Sequence, residues 1–141
     1  ERAKLLPWRM PAPITRLEPR AIFFPASTLG RKGAYELRDA LHDLDADLVL
    51  GGSGLESPGF WKNIRTRRAD SILDGLKEAA VVVLPAFIEH QPRVLLRALS
   101  SGIPVVASEE CGIPPMPGLK IVGSGDAAAL RAALAKEMEW A

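Results

Sequence analysis

The run AVVVLP, residues 80–85, sets apolar residues in an unbroken row and closes them with a proline. A surface helix shows apolar residues every three or four positions, and a half-exposed strand every second one. A short unbroken run therefore demands burial on both faces, the condition of a strand inside a parallel sheet. The same kind of run recurs as AIFFP at 21–25, ADLVLGG at 46–52, IPVVAS at 103–108 and LKIV at 119–122. Stretches with helical spacing lie between. GAYELRDALHDL, 33–44, aligns Leu37, Leu41 and Leu44. SILDGLKEA, 71–79, turns Ile72, Leu73 and Leu76 inward behind Asp70 as its amino-terminal cap. PRVLLRALSSG, 92–102, opens on Pro92 and closes on Gly102 as a left-handed cap. DAAALRAALAKEMEW, 126–140, aligns Leu130, Leu134 and Met138. NIRTRRA, 63–69, reads as a more polar strand at a sheet edge. Six strands alternating with helices predict an α/β fold, a Rossmann-like doubly wound parallel sheet with helices on both faces.

Residues 1–20 do not share this pattern. Pro7, Pro11, Pro13 and Pro19 exclude regular helix or central strand there, so the segment reads as a linker or arm. The domain then runs over 21–141, and a chain of this length has enough residues for its own core. The absence of an initiator methionine suggests a piece of something longer. Eighteen basic residues against seventeen acidic ones leave no field to gather nucleic acid or an anionic membrane, so a partner is recognised locally. The one cysteine, Cys111, excludes an internal disulfide and suits a reducing, cytoplasmic setting. The longest apolar run, about nine residues around Val81 to Phe87, is less than half of a bilayer-crossing helix.

In a doubly wound sheet the ligand lies beyond the carboxyl ends of the strands. Three unusual loops fall there: ASTLGRKG (26–33), GGSG (51–54, with Gly52 and Gly54) and PAFIEHQP (85–92). The first is neither a dinucleotide fingerprint nor a P-loop. In it, Lys32 offers an ammonium beside a helix start that already favours an anion. Taken singly, each feature has a plainer reading. Lys32 can be a solvated charge, GGSG a plain loop, Glu89 a carboxylate suited to a helix amino terminus, and His90 a loop side chain. His42 sits within a helix, and no metal-ligand spacing joins the two histidines. No metal and no other cofactor is expected.

Taken together, these segments resemble the nucleotide-sugar-binding C-terminal domain of GT-B glycosyltransferases, specifically glycosyltransferase family four. AFIEHQPRVLLRALSSGIPVVAS follows that family's P-S-x-x-E-x-F-G-x-x-x-x-E-A-x-A-x-G-x-P-V-V-A-S at Glu89, Leu95, Leu96, Ala98, Gly102 and Pro104 through Ser108, with Cys111 and Gly112 following. The resemblance covers 21 to about 137. It implies that Lys32 neutralises the donor diphosphate, that Glu89 is the catalytic-site carboxylate meeting the hydroxyls of the transferred sugar, and that the sugar is transferred with retention. It also implies that the amides around Gln91 to Val94 face phosphate, and that 67–69 lies near the nucleobase. His90, Arg93 and the glycines of 51–54 would complete the binding surface. Acceptor recognition would belong to an N-terminal domain, and the fragment alone would be inactive.

The chain departs from the pattern twice. Ser27 stands where the family has a phosphate-binding arginine, for which Arg31 or Arg93 could substitute. Arg97 stands where it has a ribose-binding glutamate, and arginine donates hydrogen bonds but accepts none. Gln91 and Pro92 replace the usual aromatic and glycine. Two other functions stay open: a non-catalytic Rossmann-like binding module and a nucleotide-sugar epimerase.

Overall fold

The structure is a computed structural model that describes residues 11–13, 21–26, 28, 30–42, 44–52, 54, 56–87 and 93–138. Six strands form one sheet: β1 (Ala21–Phe24), β2 (Asp47–Leu50), β3 (Arg65–Arg68), β4 (Ala79–Leu84), β5 (Val105–Ser108) and β6 (Leu119–Val122). Their spatial order is β3-β2-β1-β4-β5-β6, and every pairing is parallel. Helices α1 (Ala34–Leu41), α2 (Ile72–Lys77), α3 (Arg93–Ser100) and α4 (Ala127–Met138) supply the crossovers and the final layer. The chain moves one way from β1 to β2 and the other way from β3 to β4 to β5. Right-handed crossovers therefore put α1 on one face and α2 with α3 on the other, and α4 returns to pack against α1.

Four of the apolar runs are buried as their composition demands, whereas LKIV forms the edge strand β6, with Ile121 exposed and only Val122 buried. Ile22, Phe23, Leu48, Val49, Val81 through Val83, Val105 and Val106 are wholly inaccessible, and Leu37, Leu95, Leu130 and Leu134 cover them from the helices. The polar strand β3 is fully exposed and forms one edge. Its arginines are held by carboxylates: Arg65 by Asp45 and Asp47, Arg67 by Glu78, Arg68 by Glu56. A charged edge of this kind resists pairing with a second sheet.

Helix α2 corrects two expectations. Its cap is Ser71, not Asp70: the Ser71 backbone is extended and its hydroxyl accepts the Asp74 N–H at 3.1 Å. Leu73 points outward and is 39% exposed. The helix starts at Ile72 and is six residues long, so its inward stripe is Ile72, Gly75 and Leu76, with Leu73 a quarter-turn away. At the end of α3, Gly102 is left-handed (φ +79°) as expected, and the Ile103 N–H returns to the Ala98 carbonyl at 2.9 Å. The amino-terminal arm, apart from residues 11–13, lies outside the described residues.

Candidate functional site

Strands β1 and β4 are neighbours whose connections leave in opposite directions, which opens a crevice beyond their carboxyl ends. The loop after β1 runs through Thr28 into a 3-10 turn at Gly30–Lys32, and Gly33 caps α1. The loop after β4 runs through Pro85, Ala86 and Phe87 toward α3. The two loops are fastened to each other. The Phe87 N–H donates to the Arg31 carbonyl at 2.7 Å. Gly33 is left-handed (φ +88°), and a Cβ on it would lie 2.2 Å from the Pro85 carbonyl oxygen, so only glycine allows this approach. Lys32, half-buried, is thereby held at the amino end of α1, against the loop that leads to Glu89.

The β4 loop is braced from behind as well. Ser108, fully buried at the end of β5, donates its hydroxyl to the Ala86 carbonyl. Cys111, in the following 3-10 turn, donates to the Leu84 carbonyl at 3.5 Å and sits 3.8 Å from the Ser108 oxygen. The run IPVVAS thus ends in a side chain with a mechanical task, which reading it as a strand alone does not disclose.

A second cluster forms where β2 and β3 end. Glu56 accepts hydrogen bonds from the Trp61 indole at 3.1 Å and the Arg68 guanidinium at 2.9 Å. Burial pushes the Glu56 carboxyl up, but hydrogen bonds from its own backbone and the Thr28 hydroxyl, the Arg68 charge and the Trp61 indole outweigh it and hold the carboxyl below its usual range. Glu56 therefore ties Trp61, in the β2–β3 connection, to Arg68 at the end of β3. Gly52 and Gly54 serve the same cluster: the Gly52 carbonyl accepts from Arg68 at 2.7 Å, and a Cβ on Gly54 would lie 2.2 Å from its guanidinium. Phe60 stacks edge-on against both Tyr35 and Trp61, with Arg38 over its ring at 4.4 Å, which fixes the loop to α1. A groove of about 580 Å³ runs along Glu56, Pro58, Phe60, Trp61 and Arg68. Pairings such as Glu56 with Trp61 and Arg68 leave no periodic trace in the sequence; only the richness of 51–62 in glycine and aromatic residues marks the segment.

Arg93 and Arg97 lie one turn apart on α3 and come together in a groove of about 230 Å³ with Ile72, Val94 and Pro11. Arg67, in the segment expected near the nucleobase, is held by both oxygens of Glu78, and its guanidinium keeps that carboxyl below the usual range. Ser27, Glu89, His90 and Gln91 lie outside the described residues. Lys32 is thus brought to the β4 loop and Arg93 to Arg97, while Gly52 and Gly54 surround Arg68. Among the described residues no helix is long and apolar enough to cross a membrane.

The family model for glycosyl transferases group 1 matches residues 30–139. No curated protein matches the chain in sequence. Among solved structures, the chain is similar to sucrose-phosphate synthase from Thermosynechococcus elongatus, with a TM-score of 0.68 and 22% identity over 85% of this chain and 36% of that one. It is similar to the C-terminal domain of a glycosyl transferase group 1 family protein (LpcC) from Francisella tularensis, with a TM-score of 0.68 and 16% identity over 86% of this chain and 77% of that one. The catalytic domain of cholesterol-alpha-glucosyltransferase from Helicobacter pylori gives 0.63 and 19% over 86% and 87%. At such identities the likeness is one of fold, and the chain spans little more than a third of the synthase. The sheet order, the crevice between β1 and β4 and the family match over most of the length agree: the chain belongs to the glycosyl transferases group 1 family and has the fold of its C-terminal domain.

Proposed function

We propose that this domain binds the nucleoside-diphosphate-sugar donor of a retaining glycosyltransferase, in polysaccharide or glycoconjugate synthesis on the cytoplasmic side. Lys32 neutralises the diphosphate, helped by the amides that open α3, and Glu89 accepts hydrogen bonds from the hydroxyls of the transferred sugar. The acceptor is held by an N-terminal domain whose closure completes the site, so this chain alone binds donor without transferring sugar. No metal takes part. The observation that carries the reading is the fastening of the Lys32 turn to the β4 loop through Arg31–Phe87 and Gly33–Pro85, at the crevice where such a sheet receives a ligand.

Thermal unfolding of the chain against a panel of nucleotide-sugars tests it. A ligand present at about 100 times its dissociation constant stabilises the fold by about 2.7 kcal/mol. Lys32→Ala should weaken nucleoside diphosphate binding by about tenfold or more, the worth of one charge-assisted hydrogen bond. A panel with no stabilising member refutes the reading. A second reading, a binding module without catalysis, is favoured by Arg97, which brings a cation to α3 where the resemblance implies a carboxylate.

A further inference from the structure

The two edges of the sheet are guarded differently. On β3, Arg65, Arg67 and Arg68 are exposed and each holds a carboxylate. On β6, at the other end, the sequence is Leu119, Lys120, Ile121, Val122, and no described strand pairs with its outer side. Natural sheets blunt a free edge with charges, proline or a bulge, and of these β6 has Lys120 alone. Ile121 is 39% exposed. The Val105 N–H donates to the Gly118 carbonyl at 2.9 Å. By alternation along the strand, the backbone groups of Lys120 and Val122 then face β5, and the N–H and C=O of Ile121 face outward. What fits this edge is an extended strand. Helix α4 leaves room beside it, because a groove of about 470 Å³ separates β6 from the small side chains of Ala129, Ala132 and Ala133.

Charge identifies the strand. Lys120 sits toward the amino end of β6, and two exposed carboxylates lie past its carboxyl end. A Cβ on Gly123 would be 3.8 Å from the Glu109 carboxylate and 3.9 Å from the Asp126 Cβ. The edge is basic at one end and acidic at the other, so it complements itself when one copy is turned end for end. We infer that β6 is an interface between two copies of this chain, paired antiparallel about a two-fold axis at Ile121. A two-fold contact requires a patch that is its own complement. In this register Ile121 exchanges both backbone bonds with Ile121 of the second copy, and the two exposed side chains cover each other. Lys120 then lies opposite Val122 of the second copy, beside the Gly123 that Glu109 and Asp126 flank, and its stem runs over the groove. Turns close the pairing at both ends: the Leu119 N–H is taken by the Met116 carbonyl and the Gly123 carbonyl by the Asp126 N–H, each at 3.2 Å. The strands of the second copy run the opposite way, so both crevices between β1 and β4 stay open. The inference is independent of the donor-binding reading.

Sedimentation equilibrium of the 141-residue chain over a wide concentration range tests it. The unaltered chain should show a reversible monomer–dimer equilibrium. Ile121→Pro removes an N–H that faces outward and leaves the inner ladder intact, so it should fold and weaken the dimer by about tenfold or more, the contribution of a pair of hydrogen bonds. Lys120→Glu, which sets like charges against each other, should weaken it by a similar factor. Combining Lys120→Glu with Glu109→Lys should recover part of that loss. If Ile121→Pro fails to fold, the charge variants decide. A chain that stays monomeric throughout overturns the inference and leaves the edge to a partner of other sequence. So does a dimer that Lys120→Glu leaves unchanged or strengthens.

Discussion

Gly33 is held by two independent demands, a left-handed backbone and the proximity of the Pro85 carbonyl. Alanine meets neither. The backbone conformation alone costs about 1–3 kcal/mol for a residue with a Cβ, and the Pro85 segment must also retreat. Gly33→Ala should therefore lower the melting temperature by several degrees and weaken donor binding, since the Lys32 turn and the β4 loop part together. Calorimetric melting and titration of one preparation check both. Glu56 makes a pH-dependent contribution. Its carboxyl lies below the usual range in the folded state, so its stabilisation is present above the unfolded value of about 4.3 and is lost as pH falls through the lower folded value. Glu56→Gln should cost about 1–3 kcal/mol at pH 7, the worth of hydrogen bonds to a charged group. The gap between the variant and the parent chain should narrow below about pH 4. Melting curves across pH 3 to 7 check this, and a constant gap would remove Glu56 from the acid response.

At the level of elements, α2 shows a conflict between local propensity and packing. Glycine inside a helix costs about 1 kcal/mol relative to alanine, yet Gly75 occupies the middle of this short helix. The Phe23 ring explains it, because a Cβ on Gly75 would lie 2.3 Å from ring carbons. Forcing a methyl into a filled core costs about 1–3 kcal/mol, which exceeds the propensity gain, so Gly75→Ala should destabilise the fold. Chemical denaturation decides the sign. The same helix shows what the sequence makes legible. Strands β1, β2, β4 and β5 could be read because burial on both faces leaves continuous apolar runs. Leu73 was misplaced because apolar identity does not say which turn a six-residue helix presents. Its cap was misread because Asp70 and Ser71 are both good caps and only the backbone chooses. The Glu56, Trp61 and Arg68 cluster was not legible, since pairing between loops carries no period. Lys32 and Gly33 were legible as a turn, but their partner, Pro85, was not.

Across the whole molecule, described loops beyond the carboxyl edge of the sheet are joined by contacts between residues far apart along the sequence: Arg68 to Glu56, Arg31 to Phe87, and Ala86 to Ser108. One feature of that edge can be used as a clock. The single thiol, Cys111, is 2% exposed and lies under the β4 loop with its hydrogen on the Leu84 carbonyl. A thiol reagent reaches it only when that loop lifts, so the labelling rate counts loop openings in the native protein, on the scale of local unfolding and not of global melting. Saturating nucleotide-sugar should slow the labelling, Ser108→Ala should quicken it, and the ratio of the two rates would measure how firmly the donor closes the edge that binds it.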